Sequence, residues 1–413
     1  MATPWLVGLC LSRLSFSVVS NAYAGVLPLV RQDWGMSAAE AATIQSAWHL
    51  GYLVSLFIVG MLADRYGARR TYLAGGLLAT GAALAFAVGS HGHISALLLY
   101  GLVGLCSGAS YTPGLALIFQ HAAPATRGGA MGWFLAASSL GYATALVVIA
   151  LLASLASWRA ALVASALSAA LGAFFGWLAL RRLPEHLPAA APGRSLRRDI
   201  ADTLRDRPAM AVNWAYTFHC WELLALWAWL PAFLAAAGSG APGGLSWGIG
   251  LAGLAHLCGA AGSIVGGTAS DRWGRARVML VLTLASLTGS FLFGWLSTWP
   301  LWLLVPIGAL YNLCAIADSS VYSTALAEAV PPSRLGTAYS VRSVMGFGAG
   351  AISPVVFGAA LDLVRALHGP GSPYAWVLAW STVGLGAVLG PAMILRFERL
   401  RARRAEWVRQ TSD

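Results

Sequence analysis

Residues 60–70 read Gly60-Met-Leu-Ala-Asp64-Arg65-Tyr-Gly67-Ala-Arg69-Arg70, and residues 267–277 read Gly267-Thr-Ala-Ser-Asp271-Arg272-Trp-Gly274-Arg-Ala-Arg277. The two stretches align without a gap at an offset of 207 residues, so that an Asp-Arg pair and a later glycine coincide. The same offset pairs identical residues elsewhere: Arg127 with Arg334, Gly129 with Gly336, Gly101 with Gly308, and His49 with His256. A single offset that serves all of these pairs predicts an internal duplication, with two parallel repeats in one chain.

The composition is that of a membrane protein. Of the 413 residues, 58% are hydrophobic and only 10% are charged, whereas soluble domains are about 25% charged. This excludes a soluble enzyme, a disordered protein and a small disulfide-rich protein. All 26 basic residues are arginines, and because they fall in short runs between apolar stretches they indicate membrane topology rather than nucleic-acid binding. The five cysteines lie inside apolar stretches, which argues against a disulfide framework or a zinc cluster.

Twelve stretches are long and apolar enough to cross a membrane, which takes about 20 residues per helix. They cover approximately residues 5–29, 42–62, 71–90, 94–119, 128–155, 160–180, 209–236, 247–267, 278–297, 301–326, 336–361 and 375–396. We therefore predict an all-α membrane protein with twelve transmembrane helices. The predicted domains are an N-terminal six-helix bundle (1–183), a cytoplasmic linker (184–208), a C-terminal six-helix bundle (209–396) and a basic cytoplasmic tail (397–413).

The arginines also predict the orientation of the chain. With the N-terminus inside, the outer loops carry only Arg31, Arg159 and Arg365, and Arg13 and Arg342 lie at membrane depth. All other arginines fall on the inner side, and cytoplasmic loops are the ones enriched in basic residues. We therefore expect a multi-pass protein of the bacterial inner membrane with both termini in the cytoplasm.

The run from Gly60 through Asp64-Arg65-x-Gly67 to Arg70 resembles the signature between helices two and three of the major facilitator superfamily. The degenerate copy at 267–277 lies where that family carries it again, between helices eight and nine. The resemblance implies two pseudo-symmetric six-helix bundles around a central cavity. The first, fourth, seventh and tenth helices would line this cavity, and the second, fifth, eighth and eleventh would flank it. The resemblance also implies rocking-type alternating access.

The two Asp-Arg loops are candidate cytoplasmic gates. An aspartate at a helix end can pair with a cation or a helix N-terminus in one state only, and such a pair would bias a two-state equilibrium. The alternative is that these arginines only set topology. The expected gate residues are Gly60, Asp64, Arg65, Gly67, Arg70, Asp271 and Arg272, with Gly67 supplying the tight turn.

Ionisable residues at membrane depth are costly and are functional candidates by default. Two guanidinium groups at one level of a cavity would suit an anionic substrate, so we expect Arg13 and Arg342 to bind it. The alternative for Arg342 is a structural pair with Asp318 on the neighbouring tenth helix. Further substrate contacts are expected from polar and aromatic side chains, namely Asn21, Tyr111, His219, Trp221 and Asn312.

The remaining groups are candidates for proton coupling. His219 and Glu222 are three residues apart on the seventh helix and share a face, where burial disfavours charge on both. The alternative is that they form fixed hydrogen bonds that hold the helices together. The residues expected to couple proton movement are Glu222, Asp318, His49 and His256.

Together these residues predict a secondary active transporter for a small anionic solute, coupled to protons or to a counter-substrate. The segment from His219-x-x-Glu222 to Trp227-x-Trp229-Leu-Pro231 is similar to bacterial permeases grouped with nitrate, cyanate and oxalate/formate carriers. The alternatives are efflux of lipophilic or cationic compounds, copper import through His and Cys ligands, and a receptor on the same fold.

The sequence also predicts which partners are absent. No nucleophile–base spacing, metal motif or phosphate-binding loop is evident, so we expect neither an enzyme nor a cofactor nor a metal site. The expected partners are the small-molecule substrate, protons or a counter-substrate, and the lipid bilayer, without nucleic acid. A monomer is functionally sufficient for this architecture.

Overall fold

The computed structural model describes residues 3–123, 127–184, 196–240, 244–331 and 334–412. Twelve helical segments in this part of the chain are long and apolar enough to cross a membrane. They are numbered here as spans 1 to 12. The predicted fold, an all-α membrane protein with twelve spanning helices, is confirmed.

Spans 1 to 6 come from the first half of the chain. Their helices are α1 (Pro4–Ser20) and α2 (Ala22–Asp33) in span 1, α3 (Ala38–Tyr66) in span 2, α4 (Ala68–Gly89) in span 3, α5 (His93–Ser107) and α6 (Thr112–His121) in span 4, α7 (Arg127–Leu155) in span 5, and α8 (Trp158–Leu180) in span 6. Of the predicted linker, residues 185–195 lie outside the described part of the chain.

Spans 7 to 12 come from the second half and follow a short helix, α9 (Leu196–Arg205). Their helices are α10 (Arg207–Gly238) in span 7, α11 (Gly244–Trp273) in span 8, α12 (Arg275–Leu292) in span 9, α13 (Leu301–Ala317) and α14 (Ser319–Ala329) in span 10, α15 (Leu335–His368) in span 11, and α16 (Tyr374–Ala387) and α17 (Gly390–Ser412) in span 12. The predicted basic tail continues span 12 as a helix, and Arg404 lies 3.5 Å from Asp206 at the start of span 7.

Small residues allow the helices of one bundle to touch along their backbones. A Cβ atom on Gly51 would lie 2.1 Å from the carbonyl oxygen of Gly101, and one on Gly104 would lie 2.1 Å from that of Trp48. Lipid tails are as apolar as the side chains, so close packing and polar contacts, rather than the hydrophobic effect, hold membrane helices together. Spans 2 and 4 therefore form a closely packed pair.

The turns after spans 2 and 8 have the same backbone geometry. Gly67 has φ 92° and ψ 148°, and Gly274, 207 residues later, has φ 87° and ψ 146°. Residues with a Cβ atom rarely adopt these backbone dihedral angles, so glycine is required at both positions. The predicted tight turn at Gly67 is present, and its copy in the second half extends the internal repeat from sequence to structure.

Four spans that were predicted as continuous are interrupted, span 12 at Val388 and Leu389 and three others near their middles. Span 1 breaks at Asn21, span 4 at the turn Gly108–Ser110 and Tyr111, and span 10 at Asp318. Tyr111 and Asp318 are again 207 residues apart. Broken membrane helices are tolerated where they line a cavity, because the freed backbone groups need polar surroundings.

An even number of spans places both termini on one side of the molecule, here called the terminal face, together with the Gly67 and Gly274 turns. The opposite side is the distal face. Between spans 2 and 11 at the distal face, Asp362 accepts hydrogen bonds of 2.9 and 2.8 Å from the amides of Ala38 and Ala39. A carboxylate is stabilised at a helix N-terminus by the amides and by the helix dipole.

The bundles also meet closely in the distal half of spans 5 and 8. A Cβ atom on Gly253 would lie 3.1 Å from the carbonyl oxygen of Ala143, and one on Gly250 would lie 3.2 Å from the Cβ of Ala150. Two sets of close contacts, between spans 2 and 11 and between spans 5 and 8, therefore hold the two bundles together at the distal face.

Candidate functional site

A cavity of about 390 Å³ lies between the two bundles. Side chains of spans 1, 2, 4, 5, 7, 8, 10 and 11 line it, which is the arrangement that the resemblance implied. Toward the terminal face, the lining residues Leu135 and Ile264 are 43% and 64% exposed, whereas Gln45 and His49 on the distal side are 3% and 4% exposed. The cavity is therefore open toward the terminal face and closed toward the distal face.

The lining is positively charged. Arg13 and Arg342 both face the cavity, and within the described part of the chain no Asp or Glu lines it. The rest of the surface is formed by serines, aromatic rings and small apolar side chains. Both arginines thus lie in the wall of a central cavity, where the sequence predicts that they meet a substrate.

Arg13 of span 1 is held by neutral groups. Its Nε donates to Ser138 Oγ at 2.7 Å and its Nη1 to Ser110 Oγ at 2.8 Å. Its guanidinium lies 5.1 Å from the ring centre of Tyr111 and 5.6 Å from that of Phe134. These contacts orient the charge without neutralising it, since hydroxyl groups and rings carry no net charge.

Arg342 of span 11 has a similar environment. Its Nη1 donates to Ser323 Oγ at 2.7 Å, and its guanidinium lies 4.5 Å from the ring centre of Tyr216 and 4.6 Å from that of Tyr339. Its Nε is buried and has no hydrogen-bond partner among the described residues. The alternative pair with Asp318 is not formed, because Asp318 is engaged elsewhere.

The other predicted substrate contacts divide into two groups. Asn21 and Tyr111 line the cavity, at the breaks of spans 1 and 4. Asn312 lies behind the cavity wall, where its Oδ1 accepts from Trp227 Nε1 at 2.9 Å. Trp221 faces span 12 and donates to the carbonyl oxygen of Thr382 at 3.2 Å, so it lies away from the cavity.

His219 links the cavity wall to a buried carboxylate. Its Nε2 is 2.8 Å from the hydroxyl of Ser319, which lines the cavity, and its Nδ1 is 3.0 Å from Asp318 Oδ1. Asp318 is 1% exposed, and its Oδ2 accepts a hydrogen bond from Thr283 at 3.1 Å. The break of span 10 thus places Ser319 at the cavity and Asp318 behind it.

Glu222 forms a second buried polar cluster, one turn further along span 7. Its two oxygens accept from Ser286 Oγ at 3.0 Å and from Ser290 Oγ at 2.8 Å, and Ser290 is also 2.6 Å from the hydroxyl of Tyr311. The carboxylate is 2% exposed and does not line the cavity. The arrangement satisfies a buried carboxyl group in either protonation state, because each hydroxyl can donate or accept.

His49 and His256, which the sequence repeat pairs, differ in their access to the cavity. His49 lines it directly, whereas His256 lies behind Tyr142 and Trp227, with ring centres 5.9 and 5.3 Å away. Both imidazoles are buried, and each has one ring nitrogen without a hydrogen-bond partner in the described structure.

The predicted gate residues lie at the terminal face. Arg65, Arg70 and Arg272 are exposed, and the guanidinium of Arg65 lies 5.3 Å from the ring centre of Tyr66. Asp271 pairs with Arg275 of its own bundle, and Arg275 also contacts Glu328 at 3.1 Å. Gly60 lies within α3 with open space beside it. The side chain of Asp64 lies outside the described part of the structure.

Several site residues had no signal in the sequence. Ser110, Ser138 and Ser323 hold the two arginines, and Ser319 connects the cavity to His219. Serine is common in membrane helices, where it bonds to its own backbone or to a neighbouring helix. Only the position of each serine beside a charged side chain reveals its role, and that position depends on the packing of distant spans.

Comparison with known proteins gives partial matches to transporters. The chain is 30% identical over 186 residues to the uncharacterized transporter YgaY of Escherichia coli O157:H7, which covers 44% of this chain and 45% of that protein. It is 22% identical over 217 residues to the hexuronate transporter of Bacillus subtilis (strain 168), half of each chain. It is 32% identical over 179 residues to the puromycin resistance protein pur8 of Streptomyces alboniger, covering 43% of this chain and 34% of that one. The chain thus spans half or less of the curated relatives it matches.

The fold comparison extends over nearly the whole molecule. The crystal structure of the nucleoside transporter NupG superposes with a TM-score of 0.79 at 14% identity, covering 96% of this chain and 100% of that one. A likeness at this identity establishes the fold alone. The family model described as the Major Facilitator Superfamily matches residues 7–354. A match of this length shows that the chain belongs to the Major Facilitator Superfamily and is a transporter rather than an enzyme.

Proposed function

We propose that this transporter moves a small anionic solute through the central cavity by alternating access. The observation that carries the proposal is the pair of cavity-lining arginines, Arg13 and Arg342, in a lining whose described residues include no carboxylate. A buried charge without a counter-charge is costly. An anion in the cavity would supply the missing charge and could accept bidentate hydrogen bonds from a guanidinium.

The orientation follows from the distribution of arginines. With basic loops on the cytoplasmic side, the terminal face is cytoplasmic and the distal face is external. The cavity in this conformation would then be open to the cytoplasm. Alternating access requires that the contacts of Asp362 break when the distal face opens.

Proton coupling is proposed through Asp318, His219 and Glu222. Ser319 is hydrogen-bonded to His219, and His219 lies 3.0 Å from Asp318, so the three side chains form a polar connection from the cavity to a buried carboxyl group. A histidine in such a position can take up a proton on one ring nitrogen and release one from the other. A substrate that occupies the cavity would change the polarity next to Ser319. Proton binding at Asp318 would then depend on the occupancy of the cavity.

Two alternatives are less well supported. One relative is named for puromycin resistance, which favours drug efflux. Another is named as a hexuronate transporter, and hexuronate is an anion. Efflux of cations would call for an acidic group at the cavity, and the acids nearest to it, Asp318 and Glu222, are behind its wall. For copper, the described residues contain no group of three His, Cys, Asp or Glu side chains able to hold a metal ion.

Thermal unfolding of the purified protein in detergent tests the anion proposal. A ligand that binds only the folded state raises the unfolding midpoint by mass action. The panel contains nitrate, formate, oxalate and gluconate, tetraphenylphosphonium, and copper and zinc salts. We expect at least one anion to raise the midpoint of the wild type and to have no effect on Arg13→Gln or Arg342→Gln.

The matched control is Arg159→Gln, which removes an arginine outside the cavity that donates to the carbonyl oxygen of Ser90 at 2.9 Å. This variant should keep the full anion effect. Stabilisation by cations or metals alone, or an anion effect that survives in both cavity variants, would contradict the proposal.

Proton coupling is tested in proteoliposomes that contain a pH-sensitive dye. The stabilising anion should drive proton movement in the wild type and not in Asp318→Asn, which should still exchange labelled for unlabelled solute. Glu398→Gln changes a carboxylate paired with Arg401 at the surface and should behave like the wild type. Transport without proton movement in the wild type would contradict proton coupling and would favour exchange of the solute for a counter-substrate.

A further inference from the structure

The closed, distal end of the cavity carries polar side chains whose hydrogen bonds are not made within the protein. Nδ2 of Asn21 and Oε1 of Gln45 are buried and have no partner among the described residues. The two side chains are 6% and 3% exposed, and both line the cavity. Nδ1 of His49, another lining residue, is in the same condition.

These groups share one region of the N-terminal bundle. Gln45 and His49 are four residues apart on α3 and therefore lie on one face of span 2. Asn21 stands at the break of span 1, where the hydroxyl of Tyr100 bonds to the carbonyl oxygen of Ser20 at 3.0 Å. The three side chains are called the polar subsite.

Buried amides are nearly always hydrogen-bonded in native proteins, because an unmade bond costs the full desolvation of the group. A primary amide offers both a donor and an acceptor whichever way it is turned. The partner that best fits two such amides is a group that donates and accepts at once, which is a hydroxyl. A carboxylate fits less well, since it can only accept.

Aromatic rings stand beside the polar subsite. Trp48 and Tyr52, on the same helix as Gln45, line the cavity and are stacked with ring centres 4.9 Å apart and planes 10° from parallel. An aromatic face packs well against the C–H groups of a carbon chain, while the amides bond to its hydroxyls. Arg13 lies on α1, eight residues before Asn21, and Arg342 lies on α15.

We propose that the polar subsite of Asn21, Gln45 and His49 binds hydroxyl groups, so that the substrate is a hydroxylated organic anion rather than an inorganic or purely apolar one. This inference rests on the proposed function, because the arginines hold the anionic end. The polar subsite then determines specificity. A site built to bond a hydroxyl rejects the analogue that lacks it, because its own polar groups are left unpaired.

The test compares two anions of equal length and charge, gluconate and hexanoate, by calorimetric titration of the purified protein. The wild type should bind gluconate at least tenfold more tightly than hexanoate. Asn21→Leu and Gln45→Leu should lose most of this preference and should bind hexanoate as well as the wild type does. Retained hexanoate binding also shows that the variant cavity is folded.

The matched control is Asn213→Leu, which replaces a buried asparagine of span 7 that does not line the cavity. Its preference for gluconate should be unchanged. Equal binding of the two anions by the wild type, or a preference that survives in both Leu variants, would overturn the inference and leave the anion proposal standing.

Two further outcomes separate the inference from the proposed function. Binding of nitrate or formate, without gluconate, would also overturn the inference while keeping the anion proposal. Binding of no anion at all would remove the proposed function and the inference together. If both Leu variants fail to fold, the affinities of the wild type for gluconate and hexanoate still test the inference.

Discussion

Replacing Asp362 by alanine removes the carboxylate that joins span 11 to the N-terminus of span 2. The side chain makes two charge-assisted hydrogen bonds, of 2.9 and 2.8 Å, to the amides of Ala38 and Ala39. Hydrogen bonds to charged groups contribute about 1.5–3 kcal/mol each. Asp362 is only partly buried, so solvent and salt reduce this contribution. We take about 2 kcal/mol for the pair.

Both bonds cross between the bundles, so they stabilise only the state in which the distal face is closed. At about 1.4 kcal/mol for each factor of ten, their loss should shift the equilibrium between closed and open distal faces about 30-fold toward open. Stability of each bundle on its own should be little affected. Asp362→Asn keeps one acceptor and should shift the equilibrium less.

The shift is measured as a spin-label distance distribution in a variant whose five cysteines are replaced. Labels at Ala156 and Ala366 are exposed and lie at the distal face, one on each bundle. Asp362→Ala should increase the long-distance population. Glu40→Gln is the matched control, since Glu40 accepts from the amide of Ser37 at 2.9 Å within its own helix. Equal distributions for the wild type, Asp362→Ala and Glu40→Gln would refute the reasoning.

Three further substitutions test the packing. Gly253→Leu should also increase the distal-open population with the same labels, because a Cβ at this position would lie 3.1 Å from the carbonyl oxygen of Ala143 in the other bundle. The control Gly348→Leu places its side chain in open space and should leave the populations unchanged. Equal effects of the two substitutions would contradict this prediction. Gly274→Ala should lower the free energy of unfolding by about 1–2 kcal/mol in a denaturant titration, because its φ of 87° disfavours any Cβ. The control Gly92→Ala lies at φ 177° in open space and should leave the unfolding free energy unchanged. An equal loss of stability in both variants would show that the backbone conformation of Gly274 is not the cause. Glu222→Ala should lower the unfolding free energy by about 2–4 kcal/mol, because it removes two buried hydrogen bonds, to Ser286 and Ser290, and leaves a cavity. An unfolding midpoint equal to that of the wild type would show that the cluster does not stabilise the fold.

The fold was predictable because the signals that set it are local and repeated. Apolar stretches of fixed length set the spans, and the offset between Asp64 and Asp271 revealed the duplication. The turn at Gly67 was predicted, and the same alignment pairs it with the turn that the structure shows at Gly274. The breaks in spans 1, 4, 10 and 12 were missed, because hydropathy is the same for a broken helix and a continuous one.

The site was predictable only where a residue type is rare at membrane depth. Arg13 and Arg342 stand out in an apolar helix for that reason, and both line the cavity. The partners of Asp318 were not predictable, since the choice between Arg342 and His219 depends on how spans 7, 10 and 11 are rotated. The contact of Asp362 with Ala38 joins residues far apart in sequence through backbone amides, which no residue pattern marks.

The most direct test of the central claim is a measurement of transport currents from proteoliposomes adsorbed on a solid-supported membrane. Jumps in anion and in cation concentration are compared for the wild type, Arg13→Gln, Arg342→Gln and the control Arg159→Gln. The account predicts currents from an anion jump in the wild type and in Arg159→Gln, and their loss in both cavity variants. Currents that respond to cations alone, or that persist in both cavity variants, would contradict it.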